Sequence, residues 1–218
     1  MAGDNLEKLV HIKADSVTLE GALAIPENGR GMVLFAHGSG SSRHSPRNNY
    51  VARELRAVGL GTLLIDLLTE EEDRIYQTRF DIDLLTRRLL SATEWIKGQP
   101  QTRGLHIGYF GASTGAAAAL KAAATLGPAI DAVVSRGGRP DLAEPDLENV
   151  QAPTLLIVGG YDDVVIELNR SAYKKLKGKR ELVIVPGATH LFEEPGKLEA
   201  VAGLAASWFK QYLSKEQV

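Results

Sequence analysis

Two kinds of apolar run alternate along this chain, and the alternation predicts the fold. Met32 to Ala36, Leu60 to Asp66, Leu105 to Phe110, Ile130 to Ser135, Thr154 to Val158 and Glu181 to Val185 are short, mostly continuous apolar stretches. Each reads as a strand, and the first two suit strands covered on both faces, as in a parallel sheet. Between them the spacing changes. Ile82, Leu85, Leu89, Ala92 and Ile96 recur three and four residues apart, the stripe of a helix lying on a sheet. Thr78 with Asp81 reads as the capping box that starts this helix, and Gly98 and Pro100 end it. Leu198, Val201, Ala205, Trp208 and Tyr212 line one face of a C-terminal helix, with Pro195 placed for its first turn. Further helices are expected from about Arg47 to Val58, stopped by Gly59, and from Val165 to Leu176.

The start differs. Val17, Leu19, Gly21, Leu23 and Ile25 alternate with more polar residues, which predicts a half-exposed strand. With Leu9 to Ile12 it makes an antiparallel lead-in, closed by the turn residues Pro26 to Gly29. Six βα units follow, Arg136 to Ala152 reads as irregular, and the acidic run Glu70 to Asp73 reads as a solvated loop. The expected fold class is a three-layer α/β domain over residues 1–218, with a mostly parallel sheet and helices on both faces. Its site belongs at the carboxyl ends of the strands.

Composition narrows the function. At 218 residues the chain fits one domain with a sizeable core. A net charge of -2 leaves no electrostatic footprint for nucleic acid or an anionic membrane surface. There is no cysteine, which removes disulfides, thiolate metal sites and a cysteine nucleophile. Met1 to Val10 is mixed and charged, without the apolar stretch of a secretory leader, and no apolar run is long enough to span a bilayer. A cytoplasmic location is therefore expected.

The candidate chemistry begins at Gly111-Ala112-Ser113-Thr114-Gly115, the Gly-x-Ser-x-Gly nucleophile elbow. The strand Leu105 to Phe110 would run into a helix through a turn too tight for a Cβ two residues on either side of the serine. A serine hydroxyl is a poor nucleophile at neutral pH. It needs an imidazole to take its proton and a carboxylate to orient that imidazole. His190 directly follows the last strand, in Pro186-Gly187-Ala188-Thr189-His190. The loop after Thr154 to Val158 offers Asp162 and Asp163, either of which could instead cap the following helix. His11 and His106 lie within or beside strands and suit structural roles, and His44 lies in a polar loop. An oxyanion hole would use the backbone N–H of Thr114 and, from the His37-Gly38-Ser39-Gly40 loop, that of Ser39. No metal-ligand spacing appears, so neither a metal nor a cofactor is expected.

Taken together, these residues resemble the α/β-hydrolase superfamily, and within it the small dienelactone-hydrolase-like members. The resemblance runs from the His37-Gly38-Ser39-Gly40 loop to the C-terminal helix. It implies Ser113 as nucleophile. Gly160-Tyr161-Asp162 matches the family's Gly-x-Asp, which favours Asp162 over Asp163, and Gly187-Ala188-Thr189-His190 matches its Gly-x-x-His loop. Dienelactone hydrolases proper carry a cysteine nucleophile, so a serine member implies a wider set of small carboxylic esters as substrates. The superfamily's cap domains enter after the strand matching Ile130 to Ser135, where this chain has no room for a large one, so an open, shallow site is expected. Arg43, His44, Arg47, Arg136 and Arg139 fall in the surrounding loops and are read first as solvated surface groups, with contact to an anionic substrate group as the second reading. Two other functions share the pattern: a non-catalytic ligand-binding protein on the same fold, and thioester or peptide cleavage by the same triad.

Overall fold

The computed structural model describes residues 7–214. Residues 1–6, part of the stretch considered for a leader, and residues 215–218 lie outside them. The lead-in is a hairpin of β1 (Lys8–Ala14) and β2 (Val17–Ala24). Six strands follow: β3 (Gly31–Ala36), β4 (Gly61–Ile65), β5 (His106–Ala112), β6 (Ala132–Arg136), β7 (Thr154–Gly159) and β8 (Arg180–Val185). They form one eight-stranded sheet in the order β1-β2-β4-β3-β5-β6-β7-β8. β1 pairs antiparallel with β2, β2 antiparallel with β4, and all other pairs are parallel. β3, β4, β6 and β7 are buried at every position, as their continuous apolar runs require, whereas β1 alternates.

The helices divide between the two faces. α1 (Pro46–Ala57) and α6 (Lys197–Leu213) pack on one side over Val33, Phe35, Phe110 and Ile157. On the other side α3 (Ile82–Gly98) and α4 (Thr114–Leu126) cover Leu34, Leu63, Tyr109 and Val133, and α5 (Asp163–Lys175) adds Ala172. Ile82, Leu85, Leu89, Ala92 and Ile96 are all buried, and Gly59 ends α1 at φ +84°.

Four local expectations are corrected. α3 starts at Ile82, capped by Asp81, whose carboxylate accepts the Leu84 N–H, so Thr78 and Asp81 form no capping box. The box lies upstream, where Thr69 and Glu72 cap each other's backbone and open a short helix, α2 (Glu70–Arg74), in the run expected to be a loop. Glu72 then pairs with the buried guanidinium of Arg88. Pro195 stands outside α6, whose cap is Gly196 at φ +77°. The stretch after β6 is not irregular throughout. Pro140–Asn149 makes 3₁₀ turns, so this strand is followed by no α-helix before β7.

Candidate active site

All residues assigned chemistry from the sequence lie at the carboxyl edge of the parallel strands. Ser113 sits between β5 and α4 with φ +52° and ψ -120°, a conformation that costs a non-glycine residue about 1–3 kcal/mol. The flanking glycines show why the chain tolerates nothing larger. A Cβ on Gly111 would lie 2.4 Å from Ala116 Cα, and one on Gly115 would lie 2.2 Å from Ala36 O. The Ser113 N–H donates to Arg136 O at 3.2 Å, and its carbonyl accepts from Ala116 and Arg139, each at 3.1 Å. These bonds hold the strained turn. The side chain caps nothing, although Ser113 occupies the N-cap position of α4, so its hydroxyl is free for other use.

Asp162 and His190 are brought together. Asp162 stands at the N-cap position of α5 but makes no side-chain capping bond. Its Oδ2 accepts instead from His190 Nδ1 at 2.6 Å, which leaves His190 Nε2 as the acceptor nitrogen of a neutral ring. The two loops are laced by backbone bonds, Gly160 N–H to Val185 O and Tyr161 N–H to Ala188 O, both 2.9 Å. Glu194 accepts the Thr189 N–H, which lowers its own pKa and fixes the loop next to His190. Asp163 is exposed and begins α5.

Ser113 and His190 both border the turn after β6. Arg136 O holds the Ser113 N–H, and the next residue, Gly137, lies against the imidazole. A Cβ on Gly137 would stand 3.3 Å from His190 Cε1, and its φ of +52° also favours glycine. Ser113 Oγ makes no hydrogen bond to another described residue.

The two expected oxyanion donors flank the serine. Thr114 is the first residue of α4, where N–H groups lack helical partners. Ser39 is exposed in the loop after β3, and the preceding Gly38 approaches so closely that a Cβ there would lie 3.0 Å from Ser113 Cβ. A cleft of about 430 Å³ opens beside this loop, lined by His37, Ser41, Arg43, Asp66 and Thr69 among others, but by neither Ser113 nor His190.

The surrounding arginines are mostly engaged. Arg43 pairs with Asp66 and Glu20, Arg47 with Glu193, and Arg139 with Asp141. His44 is exposed. Arg136 corrects the reading as a solvated group: it is 5% exposed. Burial first, and then neighbouring Arg47, lower its pKa to about 10. Its guanidinium reaches Asn48 Oδ1 at 3.3 Å, and its Nε has no partner among the described residues.

Two features of the site were not assigned beforehand. His37 is buried beneath the oxyanion loop, where Nε2 accepts the Leu67 N–H. Nothing local in the sequence marks that contact across thirty positions. The second is the segment from α2 to the 3₁₀ turn Tyr76–Phe80, which adjoins the site at Gly40, where a Cβ would lie 3.5 Å from the Arg79 guanidinium. It exposes Ile75, Tyr76 and Phe80. The Thr69-x-x-Glu72 pattern was its available signal.

Known proteins place this arrangement. A dienelactone hydrolase from Anabaena variabilis, known from its crystal structure, is 57% identical, with a TM-score of 0.93 over 95% of this chain and 98% of that one. Est1E from Butyrivibrio proteoclasticus shares the fold at 17% identity, with a TM-score of 0.82 over 95% of this chain and 99% of that one. A Mycobacterium tuberculosis H37Rv protein, provisionally named a phosphoribosyl transferase, is 59% identical over 204 residues, 94% of this chain and 46% of that protein. The chain thus spans about half the length of the curated relatives it matches most fully. Residues 65–214 match the model of the dienelactone hydrolase family, to which the chain belongs.

Proposed function

We propose that this protein is a cofactor-independent serine hydrolase of small carboxylic esters, acting through an acyl-enzyme. His190 Nε2 takes the proton of Ser113 Oγ as the oxygen attacks the ester carbonyl. Asp162 keeps the proton of the imidazole on Nδ1 and stabilises the imidazolium that forms. The N–H groups of Ser39 and Thr114 hold the oxyanion. The alcohol leaves with the proton from His190, and water then cleaves the acyl-enzyme by the same steps in reverse.

The observation that carries this reading is the direction of the Asp162 carboxylate. It stands where it could cap α5 and instead turns to His190 at 2.6 Å, while the strained Ser113 leaves its own hydroxyl unused at the start of α4. One relative agrees in kind, the Anabaena variabilis protein named a dienelactone hydrolase. The transferase name belongs to a protein of which this chain matches only 46%, and the ester reading rests on the matched half. The β6–β7 segment builds no separate domain over the site, which suits small or partly exposed acyl groups.

Hydrolysis of p-nitrophenyl acetate and butyrate by the wild type and by Asp162→Asn tests this. Turnover falling in the variant by about 10⁴-fold is expected for a carboxylate that fixes the imidazole tautomer. Equal turnover in both would refute the triad. A protein labelled by no serine-directed phosphonate and inert toward every ester length would favour a ligand-binding role instead.

A further inference from the structure

We propose that His37 is a positioning residue of the oxyanion hole, setting the Gly38–Ser39 peptide so that the Ser39 N–H faces the reacting carbonyl. The inference rests on the ester-hydrolase reading above and adds a residue to its machinery.

His37 directly follows β3 and is 5% exposed. Both ring nitrogens are committed. The Leu67 N–H donates to Nε2 at 3.0 Å, so in the neutral ring the proton must sit on Nδ1. Nδ1 then donates to Gly38 O, also at 3.0 Å. Gly38 O accepts a second bond from the Ser41 N–H at 3.2 Å, closing a four-residue turn in which Gly40 has φ +67°. The Gly38 carbonyl and the Ser39 N–H belong to one peptide unit, and a trans peptide points them in opposite directions. Two donors pulling on the carbonyl therefore aim the Ser39 N–H the other way. They also polarise the peptide, which strengthens that N–H as a donor.

The loop so fixed borders the nucleophile. A Cβ on Gly38 would stand 3.0 Å from Ser113 Cβ and 3.1 Å from Ala112 O, so the peptide carrying the Ser39 N–H starts beside the serine. Unpinned, a glycine-flanked peptide can rotate and present its carbonyl to the developing oxyanion, a repulsive arrangement. Burial also keeps the ring neutral by lowering its pKa, which preserves Nε2 as the acceptor for Leu67. The backbone N–H of Arg43, donating to Asp66 Oδ1 at 2.6 Å, ties the far end of the same loop to the residue after β4.

A purely structural staple would behave differently from a positioning residue, and two amide isosteres separate the cases. In His37→Asn the side-chain NH₂ replaces Nδ1, keeping the bond to Gly38 O and losing the one to Leu67. In His37→Gln the amide oxygen replaces Nε2, keeping Leu67 and losing Gly38 O. Wild-type ester turnover, and its loss in Ser113→Ala, is established first. His37→Gln is then expected to lower kcat by about 10- to 100-fold with KM nearly unchanged, below the full loss of an oxyanion donor. It should weaken a trifluoromethyl ketone inhibitor by the same factor. His37→Asn should keep kcat within about threefold of wild type, whatever its Tm. Equal kcat losses in both variants that follow their Tm, or an effect on KM alone, would overturn the proposal and leave the hydrolase reading intact. No turnover by the wild type would overturn both.

Discussion

The described residues contain two histidine–aspartate pairs, one at the amino edge of the parallel strands beside the start of β5 and one at the carboxyl edge. At the first residue of β5, His106 Nδ1 bonds Asp131 Oδ1 at 2.8 Å. At the edge where β5 runs into Ser113, His190 Nδ1 bonds Asp162 Oδ2 at 2.6 Å. The bonds use the same nitrogen and the same type of oxygen, and both pairs are partly exposed. The surroundings differ. Asp131 gives its second oxygen to the Ile107 N–H at 2.9 Å, and His106 Nε2 is buried without a partner among the described residues. That pair staples the start of β5 to the β6 lead-in. At the opposite edge the strained Ser113, the Gly38 loop beside it and Gly137, which lies against the imidazole, share one side of the sheet. A histidine–aspartate bond is thus no site in itself. On the proposed reading, what makes one is a ring nitrogen available to a serine nucleophile.

Substitutions at the two pairs should therefore separate activity from stability. His190→Ala should lower kcat on p-nitrophenyl acetate by about 10⁴-fold or more, whereas His106→Ala should leave it within about twofold. Equal losses would mean the comparison is wrong. Asp162→Asn should cost far more activity than Asp163→Asn, because Asp163 lies outside the bond to His190. Asp131→Asn should spare kcat and lower stability by about 1 kcal/mol, read as a shifted urea midpoint, since it disturbs bonds to His106 and to the Ile107 N–H.

Acid should lower stability through a third histidine. His37 stays neutral in the native state, its pKa lowered by burial, while an unfolded histidine gains a proton near pH 6.5. Below about that value the unfolded chain binds the extra proton, so native stability drops as pH falls. Urea midpoints at two pH values should show this loss in the wild type and less of it in His37→Asn. The smallest effect expected is at Arg136. A buried guanidinium with no carboxylate partner costs stability, so Arg136→Met should raise Tm by a few degrees while the Ser113–Arg136 backbone bond persists. A lower Tm would show that the Asn48 contact outweighs the desolvation.

What could be read from the sequence follows from range. β3, β4, β6 and β7 were legible because burial on both faces writes an uninterrupted apolar run, and the elbow because Gly111 and Gly115 answer a steric demand made within five residues. Asp162 and His190 were expected in the loops after β7 and β8, and those loops do bring the two side chains together. The start of α3 was misplaced because Thr78 and Asp81 both have capping side chains, and only the 3₁₀ turn ahead of Ile82 decides between them. Pro195 looked like a first-turn residue, but Gly196 at φ +77° delays α6. His37 and Arg136 escaped for a third reason. Their roles depend on burial and on partners in other elements, Leu67 and Asn48, which no local pattern encodes.

The most direct measurement is p-nitrophenyl ester hydrolysis by the wild type beside Ser113→Ala, with phosphonate labelling of both. The account predicts turnover and labelling in the wild type, both abolished in the variant, which should fold with an unchanged sheet because alanine fits the space of the serine. Turnover that survives in Ser113→Ala would contradict the central claim that this strained serine is the nucleophile.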